Sequence, residues 1–314
     1  YLASKINNSL SADAERAALL SKTDLMTGVV REFPELQGII GKYYAGNDNE
    51  NPEVATALME QYLPAYHGGR LPETETGAIL SLADKIDNIT SFFSIGLVPT
   101  GSEDPFALRR QTLAAIAILL NKGYGISLKE LINEALKNLK VVKKPAEIRE
   151  TVLQFFEQRF EPLFSSQGYE FNEIQSILHL CAETPLKEIK KRIDAVKEFK
   201  RAEGYDEFIT AIKRVKNITP SAQLPELNTE LLAEEPEKNL HEKFVLVKTD
   251  IENLLNKSRY SDALAKLLSL TQPINHFFDK VLVMDKKEEI KFNRLALLKD
   301  IWTTASKIAD FSKL

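Results

Sequence analysis

Three acids are the first residues that could do chemistry. Asp84 and Asp87 lie on one helical stretch, "LADKIDN", and Asp24 lies in another, "SKTDLMT". Carboxylates gathered from two helices could hold a hard cation and help it activate a water. Without imidazole ligands they would hold it only weakly. His67, His179, His241 and His276 are scattered, and none lies three or four residues from another, so a His-based metal cage is not expected. Cys181 follows His179 by two residues, a spacing at which helical neighbours do not face each other. No Ser-His-Asp set can be paired at a usable spacing. We read no catalytic residues and no metal site in this chain.

A second stretch, "VPTGSEDPFALRR" at residues 98–110, looks like a phosphate-binding turn, because Gly and small polar residues run into a helix start. Its details favour an ordinary capped helix. Asp104 suits the N-cap and Pro105 the first helical position. Glu103 adds negative charge where a phosphate would sit, and no Gly-Lys-Ser/Thr ending follows. The helix is expected from Pro105 to about Lys122, with Arg109 and Arg110 one turn inside.

The elements that must position these residues are helical almost throughout. Asp24 is expected within a helical pattern, "ADAERAALLSKTDLMTGVVREF". "NPEVATALMEQYLPAYH" starts with Asn51 as cap and Pro52 behind it. "TGAILSLADKIDNITSFF" buries Ile79, Leu82, Ala83 and Ile86. "SLKELINEALKNL" opens on a Ser127–Glu130 capping box. Another helix starts at Pro145, after a composition shift near "VVKKPAEIRE". "NITPSAQLPELNTELLAEEPEKN" is the best linker candidate, and three helical stretches follow it, with "DKKEE" as a charged turn.

Bulk properties fit this picture. The chain has 314 residues, 44% hydrophobic and 27% charged, with one cysteine and a net charge of −4. That is long enough for two or three modest cores, without an apolar run that would span a bilayer. A membrane or DNA partner is not expected. One cysteine fits a reducing compartment, and a cytoplasmic protein is expected. The chain opens on Tyr1 in mid-pattern, which suggests a piece of a longer protein. Charge is uneven: Lys187 to Lys216 holds ten Lys or Arg against six Asp or Glu, an excess of four. Such a stripe can steer a polyanion, or it can be a solvated face laced with i,i+4 pairs.

The acids resemble those of the HD-type phosphohydrolases, an all-helical fold. Thr23 stands where that motif has its His, Asp24 matches its Asp, and Asp84 matches the later Asp. The resemblance therefore implies the fold and a degenerate site. Four longer strings resemble the β subunit of the bacterial heterotetrameric glycyl-tRNA synthetase: "LLSKTDLMTGVVREFPELQGIIGKYYA", "LADKIDNITSFFSIGLVPTGSEDPFALRR", "AIKRVKNI" and "FFDKVLVMDKKEEIKFNRLALL". They occur in that family's order and correspond to the subunit's C-terminal half.

That resemblance implies an all-α chain in three parts. Residues 1–140 would be a degenerate HD-like domain, 141–218 a helical linker region with the basic stripe, and 219–314 a DALR-type anticodon-binding bundle. It also implies tRNA-Gly and an α subunit as partners in an α2β2 ligase. ATP and Mg would be used at the α-subunit active site, with no cofactor and no catalysis in this fragment. The residues expected on the anticodon arm are Lys213, Arg214, Asn217, Asn293 and Arg294, with Lys216 and Lys291 nearby. Arg109 and Arg110 are expected to pair with Asp84 or Asp87, or with tRNA phosphates. Phe277 and Phe278 read as core, and Asp279 as a structural hydrogen-bond partner. Two rival readings are a metal-dependent phosphohydrolase and a non-catalytic helical scaffold.

Overall fold

The structure, a computed structural model, describes residues 1–101, 103–140, 143–220 and 222–314. The boundary expected at residue 141, Ser102 of the Gly-containing turn and Ser221 of the linker stretch lie outside the described residues. The described chain is all-α, with one isolated bridge between Thr100 and Glu103. None of its helices is long and apolar enough to cross a membrane.

The chain divides into two compact units. The first holds Tyr1–Arg159 with Cys181–Lys187, and the second holds Phe160–Leu180 with Glu188–Leu314. Residues 141–218 are thus divided between the two units.

The first unit contains α1 (Leu2–Ile6), α2 (Ser11–Leu20), α3 (Gly28–Glu32), α4 (Ile39–Asn47), α5 (Pro52–Glu60), α6 (Glu75–Ser94), α7 (Leu108–Lys122) and α8 (Leu128–Asn138), and α9 (Pro145–Ser166) begins in it. Helix α6 is its axis and packs on α2, α5, α7 and α8. Ile79, Leu82 and Ile86 are buried as the pattern requires, while Ala83 is half-buried. Asn51 caps α5 by accepting the Glu53 N–H at 3.0 Å, and Ser127 and Glu130 close the capping box on α8. The short return segment is held by the Lys129 N–H, which donates to the Ala182 carbonyl at 3.0 Å.

Two helix starts differ from the sequence pattern. Helix α7 begins at Leu108, three residues after Pro105, because Ala107 takes a left-handed conformation with φ 53°. Asp104 still caps it, reaching forward to accept the Leu108 and Arg109 N–H groups at 2.7 and 2.9 Å. The long pattern around Asp24 breaks in two places. Helix α2 stops at Leu20, Lys22 turns left-handed, and Thr23–Met26 form a 3-10 turn before Thr27 caps α3.

The second unit contains the end of α9, then α10 (Phe171–Ile177), α11 (Leu186–Phe199) from Glu188 onward, α12 (Tyr205–Ile218), α13 (Glu235–Asn256), α14 (Tyr260–Leu268), α15 (Thr271–Lys280) and α16 (Glu288–Ser306). Helix α13 packs on α14, α15 and α16, and α12 packs on α15 and α16. Edge-on contacts from Phe199 to Phe208 at 5.7 Å and from Phe208 to Phe311 at 5.3 Å anchor α12 in the core.

Candidate nucleic-acid interface

Two of the three acids, Asp24 and Asp84, are committed to neighbours, while Asp87 is exposed and makes no ion pair with any described residue. Asp24 is buried; its carboxylate accepts the Gly38 N–H at 2.6 Å and the Tyr62 hydroxyl at 2.8 Å. Burial, with the hydrogen bond to Asp24, pushes the Tyr62 phenol up, so it stays a donor. Thr23 is exposed, and its hydroxyl donates to the Leu20 carbonyl at 2.7 Å. Asp84 pairs with Lys22 at the rim of a cleft of about 660 Å³ between α1, α2, α6 and α8. Among the described residues, no three His, Cys, Asp or Glu side chains converge as metal ligands would.

Of the two partners expected for Arg109 and Arg110, the carboxylates of Asp84 and Asp87 are corrected: neither arginine pairs with them. Lys22 occupies Asp84, and the Arg109 guanidinium donates to the Gly101 carbonyl at 2.6 Å, closing its own turn. Arg110 is exposed and makes no ion pair with any described residue. Lys22 itself stays exposed and takes a left-handed conformation at the break before Asp24.

Lys85 lies behind this pair, almost fully buried, and donates to the Ser81 hydroxyl at 2.7 Å and the Gln61 carbonyl at 3.2 Å. Burial lowers its ammonium to about 8, with Asp84 opposing the shift and Lys22 adding to it. The unfolded chain keeps its proton up to about 10.5, so between pH 8 and 10.5 it binds more protons than the folded chain. Stability from this group therefore rises with pH through that window, and the full penalty stands below it. Urea unfolding is expected to gain roughly 2 kcal/mol from pH 8 to pH 10 in the parent relative to Lys85→Met. Equal pH slopes would show that Lys85 is not the titrating group.

In the second unit the basic stripe separates into two kinds of charge. On α11, Lys190 pairs with Asp194 at 3.0 Å and Lys191 with Glu188 at 2.9 Å, and just past its end Lys200 pairs with Glu173 of α10 at 3.4 Å. Burial alone would raise Glu188, but hydrogen bonds from Ser258, Tyr260 and Lys191 outweigh it and hold the carboxyl at about 2. This helix is a solvated face laced with pairs. On α12 the apolar side of Phe208, Ile209, Ala211, Ile212 and Val215 is buried. Thr210, Lys213, Arg214 and Asn217 recur at i, i+3, i+4 and i+7 on the other side, with Lys216 on a flank. Lys213, Arg214 and Lys216 have no carboxylate at ion-pair distance among the described residues. Nearby acids are engaged elsewhere: Glu207 accepts from Gln272 and Asn275, and Asp300 binds Lys248. Asp279, expected to hold a structural hydrogen bond, is exposed and holds none with the described residues.

Two of the five expected contacts prove to be internal. Arg294 is 3% exposed and spends every guanidinium nitrogen inside the unit. It pairs with Glu237, with Glu234 at 2.6 Å and with Asp285 at 3.2 Å, and it donates to the Leu282 carbonyl at 2.8 Å. Asn293 is equally buried; its amide accepts the Asn228 N–H at 2.7 Å and donates to the Asn228 carbonyl at 2.9 Å. That double bond ties the segment before α13 onto α16. Neither side chain reaches the surface that α12 presents.

Other residues complete that surface. The Arg214 guanidinium lies 4.5 Å from the ring centroid of Phe278, which is half-buried while Phe277 is fully buried. The Lys216 ammonium lies 5.1 Å from the ring of Trp302, also half-buried. Uncommitted cations beside aromatic faces are what a single-stranded nucleic acid needs, charge for phosphate and π-surface for bases. Trp302 was not legible from sequence as part of this group, since an aromatic at helical spacing on α16 reads as core. Its being the one tryptophan in the chain was the only signal.

Residues 1–179 match a family model described as the glycyl-tRNA synthetase beta subunit, and residues 208–309 match one described as the DALR anticodon binding domain. The chain is 40% identical over 316 residues to the glycine–tRNA ligase beta subunit of Syntrophus aciditrophicus, covering 100% of this chain and 46% of that one. It is 44% identical over 298 residues to that of Thermodesulfovibrio yellowstonii, covering 95% and 43%. It is 39% identical over 303 residues to that of Clostridioides difficile, covering 96% and 44%. The chain thus spans less than half the length of these relatives.

Proposed function

The chain belongs to the glycyl-tRNA synthetase beta-subunit family, and on that premise we propose that its second unit grips the anticodon arm of tRNA-Gly through α12. Glycylation itself, with ATP and Mg, takes place in this reading at the active site of a partner α subunit in an α2β2 assembly, in the cytoplasm. The observation that carries the proposal is the stripe of α12. Lys213, Arg214 and Lys216 are free of carboxylate partners among the described residues, and they lie within the segment that matches an anticodon-binding domain. Asn217, exposed between them, offers both a donor and an acceptor to a base edge.

Lys213 and Arg214 would neutralise phosphates, and each such contact adds to the salt dependence of binding. Arg214→Ala is expected to weaken tRNA-Gly binding by about 10-fold and to reduce the slope of log affinity against log salt by about 1. Filter binding at several salt concentrations measures both quantities. An unchanged affinity and slope would remove Arg214 from the site. The same assay with anticodon-substituted tRNA-Gly, with and without the α subunit, tests the wider reading. A helical scaffold with merely solvated charges would show no preference among tRNAs.

A further inference from the structure

Two cations of α12 are each held over an aromatic ring, and the rings belong to different helices: Phe278 to α15 and Trp302 to α16. At 3.6 residues per turn, Arg214 and Lys216 point roughly 200° apart, to opposite flanks of α12. The two cation–aromatic pairs are therefore separated by about the width of a helix, ~10 Å. We infer that they are two base-stacking subsites, which take splayed, unpaired nucleotides of an RNA loop. The inference rests on the proposal that this face holds RNA, and it assigns the chemistry by which the loop is held.

The two subsites differ. Arg214 offers a planar guanidinium, positioned by Phe278 beneath it, and a base stacks on its outer face. Lys216 offers no plane. Its ammonium is a point charge suited to a phosphate, and its move to one leaves the half-buried indole of Trp302 for a base. In a duplex, or in a loop whose bases stay stacked, the faces of each base are covered by its neighbours, so a base can stack on a side chain only once it is splayed out. A duplex, or a loop whose bases stay stacked, cannot fill both.

Trp302 reports on its own subsite, because the chain has one tryptophan. The full chain is titrated with an RNA hairpin carrying the anticodon loop of tRNA-Gly, and with a fully paired RNA of equal charge. The hairpin is expected to quench Trp302 emission and the duplex to leave it unchanged. Trp302→Ala is expected to weaken hairpin binding about 10-fold, while Trp302→Phe, which keeps a ring, retains most of the affinity. Arg214→Lys is expected to lose affinity while keeping the parent's salt slope, because the charge stays and the plane is lost. If the hairpin binds with unchanged emission and Arg214→Lys binds like the parent, the face holds phosphate alone and the stacking inference falls, while the RNA reading stands. If no RNA binds even at low salt, both fall.

Discussion

Arg294→Ala is expected to unfold the second unit with about 3–5 kcal/mol less free energy than the parent, the loss typical of breaking a buried ion pair from one side. The reason lies in what remains behind. The Glu237 side chain is 0% exposed, and Arg294 is the cation that balances it, together with Glu234 and Asp285. Truncation leaves a carboxylate inside an apolar bundle, and the Leu282 carbonyl loses its donor as well. Arg294→Lys is expected to recover little, since one ammonium cannot reproduce a fork that meets three carboxylates and a carbonyl. Removing both charges is a different case. Arg294→Met with Glu237→Leu is expected to recover much of the loss, because a matched apolar pair carries no desolvation penalty. Urea unfolding of the four proteins measures this. At a temperature where Arg294→Ala is still folded, its affinity for tRNA-Gly is expected to match the parent's. A fall in affinity without a fall in stability would return Arg294 to the RNA surface.

The misplacement of Arg294 shows where sequence pattern stops being informative. Lys213, Arg214 and Asn217 could be grouped from spacing alone, because a helix with one apolar side fixes which residues share the other. Helix α16 has no such asymmetry along its middle, where Asn293 through Leu298 are all buried in succession. A polar pair inside a helix surrounded on every side looks, in sequence, like a polar pair on a surface. The residues that meet it reveal its role: Asp285 and Leu282 lie 9 and 12 positions back, but Glu234, Glu237 and Asn228 lie at least 57 positions away. Trp302 is the converse case. It sits one turn beyond the buried run, where α16 carries its indole beside Lys216. The capped starts of α5 and α8 were legible for the opposite reason, since their partners are two or three residues away. The break between α2 and α3 was not, because it serves Gly38 and Tyr62, 14 and 38 positions further on.

That break also sets the partners of Asp24. In a working metal site Asp24 and Asp84 would turn toward one cation. Here Asp24 faces inward to a backbone N–H and a phenol, and the positive charge beside Asp84 is the Lys22 ammonium. The position matched to the HD motif's His holds Thr23, whose hydroxyl is turned to the Leu20 carbonyl. Asp24 thus serves packing, and Asp84 an ion pair with Lys22. Asp24→Ala is accordingly expected to lower unfolding free energy by about 3 kcal/mol: it strands the buried Gly38 N–H and the half-buried Tyr62 hydroxyl and empties the space against Gly41. Asp24→Asn is expected to lose less, since its amide oxygen can still accept one of the two bonds. Calorimetric titration of Mn2+ into the parent and the two variants is expected to give indistinguishable heats. A divalent-ion affinity that vanished in both variants, joined to phosphohydrolase turnover abolished by Asp84→Ala, would make the site a catalytic one.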